Sequence, residues 1–229
     1  LFTCGIQRTQ KNQIFSEILS QRGIWRGSKH LEIMARKTAA RQIRDTHFTI
    51  IGAGITEQWY FYHLQSLFRL GIKIRPRNFG EENISSLDKR IKQVLDGRGR
   101  AVVVFDADVS TWDEKEKVRL DELKRKYATN SDVVLCDSLP SIEYWFLLHF
   151  VNTTRQFGTS WAVIAQLQKY LPGFCKNESF LKNQKWVHEL CSGGKLKNAY
   201  TAAKTNGMNK GSYTNIWKAA ECIGLFRTS

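Results

Sequence analysis

Apolar positions along residues 47–150 alternate between two spacings. His47–Gly52 (HFTIIG) is a short run rich in β-branched residues that stops at glycine, the pattern of a buried strand. Thr56–Leu70 follows with apolar residues at Trp59, Phe61, Tyr62, Leu64, Leu67 and Leu70, a helical spacing with Thr56 as its predicted N-cap. Ile72–Pro76 reads as a short strand, and Asn83–Leu95 as a helix with Ile84, Leu87, Ile91, Val94 and Leu95 on one face. After Gly97-Arg98-Gly99 comes Ala101–Asp108 (AVVVFDAD), the clearest strand of the chain. A charged helix from Thr111 to Ala128, a strand over Asp132–Asp137 and an apolar helix over Ser141–Phe150 complete this stretch. Such alternation predicts an α/β fold, a parallel sheet covered by helices. From Thr153 the pattern turns helical and basic, with breaks at SGG and NGMNKGS. The predicted organisation is an uncertain extension over residues 1–33, an α/β domain over 34–150 and a helical region over 151–229 packed on it. The first segment is set apart because the chain begins with Leu1 while MARKTAARQIRD, from Met34, resembles a natural bacterial start. Upstream reading frame, cloning remnant and true extension all remain open for it.

Composition and charge add a partner to this picture. The 229 residues are 42% hydrophobic, enough for a real core, and no apolar run nears the length of a membrane span. No export signal is recognisable at the N-terminus. The five cysteines (Cys4, Cys136, Cys175, Cys191, Cys222) are scattered without a CxxC pair, so neither a disulfide framework nor a zinc site is expected, and a reducing cytoplasm fits. Net charge is +14 and unevenly placed. Residues 1–47 hold nine basic against three acidic side chains, residues 48–150 fifteen against fifteen, and residues 151–229 eleven against three. Positive flanks around a neutral centre suit a polyanion, and nucleic acid is the partner expected. In the C-terminal flank, Lys169, Lys176, Lys182 and Lys185 are interleaved with Trp161, Tyr170, Phe174 and Trp186. Lysines can track phosphates while aromatics stack on unpaired bases. The alternative for the same residues is a solvated basic face over an aromatic core.

Candidate chemistry gathers where strands end, because open α/β sheets bind ligands outside the carboxyl ends of their strands. Asp106 and Asp108 close the strongest strand; side chains two apart on a strand share a face, so both carboxylates can meet one cation. Two oxygen ligands at a rigid strand end suit Mg²⁺ (or Mn²⁺), which keeps several waters and accepts phosphate oxygens. Glu143 is a third acid, set beside apolar neighbours from Tyr144 onward, where a carboxylate is costly to bury without a cation or a donor. His149, six residues on, is off helical contact spacing from Glu143 and reads as a hydrogen-bonded core histidine. Asp137 also ends a strand and is open between a place near the cation and a role in a turn. Ser138 and Ser141 flank Leu139-Pro140 and are expected to cap the next helix. The Gly52-Ala53-Gly54 turn has the shape of a ligand-presenting loop, yet its central side chain is a methyl group. There is no Walker sequence, and no Ser-His-Asp arrangement is recognisable from spacing.

Three segments taken together, GAGITEQWYF, VVVFDAD and CDSLPSIEYWFLLHF, resemble the RloB-like family, known also from the AbiL abortive-infection system, whose members carry Toprim-like domains. The resemblance runs from about Met34 to the C-terminus and includes TRQFGTS and SYTNIWKA. It implies a Toprim-like parallel sheet with a basic helical C-terminal region. It also implies a metal-dependent nuclease of antiphage defence that works with a partner ATPase. The site residues it implies are the position of Ala53, then Glu57, Asp106, Asp108 and Glu143, with Asp106 and Asp108 as metal ligands. Ala53 stands where the family has the Glu of its Glu-Gly pair, considered a general acid/base or metal-site residue. Loss of such a proton-transfer group typically costs about two to four orders of magnitude in rate. Three explanations compete: an engineered inactivating substitution, a natural inactive relative, or replacement by nearby Glu57. The expectation is an inactivated or weakened version of an active design. The alternative is a non-enzymatic subunit that binds nucleic acid or the ATPase, and primase-like nucleotidyl transfer shares the same carboxylates.

Overall fold

The structure, a computed structural model, describes residues 47–52, 54–75, 84–108, 114–208 and 211–226. Ala53 and the extension over residues 1–33 lie outside the described residues. Strands and helices alternate through β1 (Phe48–Gly52), α1 (Ile55–Phe68), β2 (Lys73–Arg75), α2 (Ile84–Asp96), β3 (Arg100–Asp106), α3 (Glu114–Tyr127) and β4 (Val133–Leu139). Then come α4 (Glu143–Leu148), α5 (Ser160–Leu167), α6 (Glu178–Leu181), α7 (Lys185–Cys191), a 3₁₀ turn (Ser192–Gly194), α8 (Lys195–Asn206), β5 (Tyr213–Thr214) and α9 (Ile216–Cys222). The strands form one sheet in the order β2-β1-β3-β4-β5. β1 to β4 are parallel, and β5 joins β4 antiparallel, so the α/β sheet is mixed rather than wholly parallel.

Alternation along the strands sorts side chains onto two faces. Phe48, Ile50, Val102, Val104 and Cys136 face one core, while Ile51, Ala101, Val103, Phe105 and Val133 face the other. The second face is covered by α2, through Ile84, Leu87, Ile91 and Val94, and by α3, through Leu120, Leu123 and Tyr127. The first is covered by α1 and the helices after β4, in a larger core around Tyr60, Trp145, Phe146, Phe174 and Trp186. That core takes residues from Phe48 to Ile223, so the C-terminal helices complete the cover of the sheet. Two hydrogen bonds cross this core: the Trp145 indole donates to the Tyr60 hydroxyl at 2.8 Å, and a His63 ring nitrogen meets the Leu181 carbonyl at 2.8 Å, tying α1 to α6.

Crossover handedness explains why the faces divide this way. The chain steps from β1 out to β2, then returns past β1 to β3, so right-handed connections put α1 and α2 on opposite faces. The direction reverses between β1 and β3, and it is outside the carboxyl ends of the strands at such a reversal that open α/β sheets bind their ligands. The fold therefore singles out the turn after β1 and the end of β3 before any side chain is considered.

Several local expectations need correction. β3 stops at Asp106, so Asp108 lies past the strand and its direction is not set by strand alternation. Thr56 does not cap α1: Gly54 is the extended residue before the helix, no side chain caps it, and Thr56 is buried within the first turn. α4 is only six residues long, and neither serine caps it. Ser138 Oγ instead shares a hydrogen bond with Thr214 Oγ1 at 2.8 Å, and Ser141 Oγ donates to Glu143 Oε2 at 2.6 Å. Among the described residues, no helix is long and apolar enough to cross a membrane.

Candidate active site

Glu57 enters the site from the first turn of α1 and is buried. Its carboxylate folds back over the turn that precedes the helix. A Cβ built on Gly54 would collide with Glu57 Oε2, and one on Gly52 would lie 3.1 Å from Glu57 Cβ. A side chain at Gly54 would push the Glu57 carboxylate out of its place, and one at Gly52 would press on the Glu57 stem. Glu57 thus lies against both glycines that flank position 53.

Asp106 faces the same side of the sheet as Val102 and Val104, which brings it toward α1 and α4. Its Oδ1 accepts a hydrogen bond from the Ile142 N–H at 3.0 Å, in the segment joining β4 to α4. Although the residue is only partly buried, its carboxyl group is pushed well above the usual range. Loss of hydration is the largest cause, the charges of Glu57 and Glu143 add to it, Lys176 opposes it, and Asp108 adds a smaller push. Glu143 sits fully buried at the start of α4. Ser141 donates to its Oε2, and its Oε1 lies 3.0 Å from Lys176 Nζ without the alignment of a hydrogen bond. Lys176 belongs to the loop between α5 and α6. Burial acts to lower its pKa, but the charge of Glu143, a hydrogen-bond contribution from the same carboxylate and the charges of Asp106 and Glu57 outweigh that, and the ammonium is held above its ordinary value. Glu57, Asp106, Asp108, Glu143 and Lys176 thus meet electrostatically at the carboxyl edge of β1 and β3.

The other candidates fall elsewhere. Asp137 pairs in register with Phe105 and so faces α3, away from the acidic cluster. It is buried and accepts from Lys124 Nζ at 2.7 Å, Asn215 Nδ2 at 2.6 Å and the Tyr213 hydroxyl at 3.0 Å. Burial pushes its pKa up, and those three donors more than reverse the push. His149 is a core residue: Nδ1 meets the Trp145 carbonyl at 2.9 Å, and burial pushes its pKa down to about 4. Of the C-terminal lysines, Lys169 and Lys185 are exposed and Lys182 pairs with Glu178 at 3.0 Å. Lys185 lines a surface pocket of about 350 Å³ with Asn177, Phe180, Asn183 and Trp186. The interleaved aromatics split: Phe174 and Trp186 are core, while Trp161 (77% exposed) and Tyr170 (41%) meet solvent.

Lys176 is the residue that the sequence placed differently, among the contacts to nucleic acid. Its position is fixed from both sides. Phe174 is buried, with its carbonyl accepting from Gln168 Nε2 at 2.8 Å, and Asn177 caps α6 by accepting from the Phe180 N–H at 2.7 Å. The cap was available as a local signal, Asn followed by Glu-Ser-Phe. The contact with Glu143 was not, because it joins residues far apart in the chain.

Among the described residues, no group of three or more His, Cys, Asp or Glu side chains is arranged to hold a metal ion. Mg²⁺ does not require such a cage, since it is usually bound through one or two carboxylates with water and phosphate oxygens filling the rest. Two observations fit a hard cation here. Asp106 is surrounded by more negative than positive side chains, and buried Glu143 Oε1 already meets a cation, Lys176 Nζ at 3.0 Å. The acids offer only oxygen donors, which suits Mg²⁺ or Mn²⁺ rather than a thiophilic metal.

A family model described as RloB-like protein matches residues 48–223. No curated protein and no solved structure matches the chain.

Proposed function

The chain belongs to the RloB-like family, and from that premise we propose that its carboxylate cluster is the active site of a metal-dependent nuclease hydrolysing phosphodiesters of RNA or DNA. The observation that carries this reading is the meeting of Glu57, Asp106, Asp108 and Glu143 at the reversal point of the sheet. Asp106 and Asp108 are the residues that would hold the ion. A divalent ion bound there would supply stabilisation of charge developing on a phosphodiester and would lower the pKa of an attacking water. The remaining residues position. The Ile142 N–H fixes one oxygen of Asp106, while Ser141 and Lys176 fix the two oxygens of Glu143. Ala53 brings no group that can carry a proton, and Glu57, folded over the same turn, is the nearest acid in sequence to take that part. The reading is therefore a Toprim-like design, weakened at position 53, serving an antiphage abortive-infection system in the cytoplasm with a partner ATPase. The net charge of +14 supports a polyanionic substrate.

The test is nuclease activity of the chain and of Ala53→Glu on RNA and on DNA, with Mg²⁺ and with chelator. Ala53→Glu is expected to cut about 10²-fold faster or more, only with the metal. Silence from both proteins, with nucleic acid still bound, would contradict a nuclease and leave a binding subunit, the reading that Ala53 favours.

A further inference from the structure

Lys176 has a geometry that surface lysines lack. Its backbone is pinned between the buried Phe174 and the helix cap at Asn177, and its stem reaches from the α5–α6 loop to acids on other elements. Glu143 is wholly buried, and a carboxylate in that setting needs a positive charge close by. Lys176 Nζ supplies it at 3.0 Å and also faces the charges of Asp106 and Glu57. Yet the Lys176 side chain is 39% exposed, and Glu143 Oε1 receives no aligned hydrogen bond from it. The ammonium is held at buried Glu143 on a flexible stem with a route to solvent.

We propose that Lys176 is a tethered counter-cation, occupying the positive position of the carboxylate cluster until a divalent ion displaces it. This inference rests on the metal-binding reading above. Two cations in the cluster compete for the same carboxylates, because each raises the energy of the other at short range. Binding of an ion at Asp106 and Asp108 therefore weakens the hold on Lys176, and Lys176 in place weakens the hold on the ion. The lysine acts as a positioning residue that sets the metal affinity of the site and ties it to the α5–α6 loop.

The test compares the parent with Lys176→Met, Lys176→Gln and Lys176→Arg, read by calorimetric titration with MnCl₂ and by thermal unfolding with and without MnCl₂ at matched ionic strength. Without metal, Lys176→Met is expected to melt below the parent, since Glu143 loses its cation. With Mn²⁺ it is expected to gain more in melting temperature than the parent and to bind the ion about tenfold more tightly. Lys176→Arg keeps the charge and is expected to bind like the parent. Lys176→Gln, which retains a donor for Glu143, carries the same comparison if Lys176→Met does not fold. A parent that binds Mn²⁺ at least as tightly as both neutral variants would overturn the inference and leave the metal site standing. No Mn²⁺ binding by the parent or by either neutral variant would overturn the metal reading and this inference together.

Discussion

Asp106 ends β3, while Asp137 lies two residues inside the end of the neighbouring parallel strand β4 rather than at its end, and the structure treats them in opposite ways. Asp137 faces α3 and is satisfied by an ammonium, an amide and a phenol, which hold its pKa below the ordinary value despite burial. Asp106 faces α1 and α4, accepts from one backbone N–H among the described residues, and has its pKa held well above that value by loss of hydration and then by the charges of Glu57 and Glu143. The first joins the sheet to α3 and β5; the second is left with unbalanced charge at the reversal point of the sheet. A carboxylate whose environment has been completed serves stability, and one whose environment is left incomplete is placed for a ligand.

The sharpest way to break this comparison is to remove each acid in turn. Asp137→Ala is expected to cost about 3 kcal/mol, because Lys124, Asn215 and Tyr213 all lose their acceptor. Asp106→Asn should change stability by no more than about 0.5 kcal/mol, or raise it, because the amide still accepts from Ile142 and carries no charge. Urea unfolding at neutral pH measures both, and equal losses would erase the distinction. Ser141→Ala comes next, at about 2 kcal/mol, because it takes a hydrogen bond from a fully buried carboxylate.

Acid titration of stability should separate the two carboxylates by sign. The Asp137 pKa is lowered from 3.8, so its contribution is present above the unfolded value and lost as pH falls through the folded value. The gap between parent and Asp137→Ala should therefore shrink in acid. The Asp106 pKa is raised from 3.8, so its ionisation destabilises the fold only as pH climbs above that value. Asp106→Asn should thus match the parent in acid and overtake it toward neutrality; a gain that grew on acidification instead would contradict the assignment. The smallest expected effect is Glu178→Gln, about 0.5 kcal/mol or less, because its pair with Lys182 is exposed.

What the sequence disclosed follows from how local each feature is. β1 and β3 were legible because buried parallel strands need unbroken β-branched runs, and α2 because one apolar face is repeated at helical spacing. β5 was not, since two residues set no period and its pairing with β4 is fixed by contacts such as Asn215 with Asp137. Asp106, Asp108 and Glu143 stood out as acids beside apolar runs. The cap of α1 was misread because Thr56 looked like a capping residue, whereas extended Gly54 precedes the helix and leaves room for Glu57. The place of Lys176 was invisible for another reason: a lysine in a basic segment looks like every other until the fold brings it to Glu143.

The central claim is that the end of β3 holds a divalent cation. Anomalous scattering from crystals soaked in Mn²⁺ tests it most directly. The account predicts a peak within about 2.5 Å of carboxylate oxygens of both Asp106 and Asp108, lost in Asp106→Asn crystals. Absence of a peak there, or side chains of Asp106 and Asp108 turned to separate ion pairs with no space between them, would contradict it.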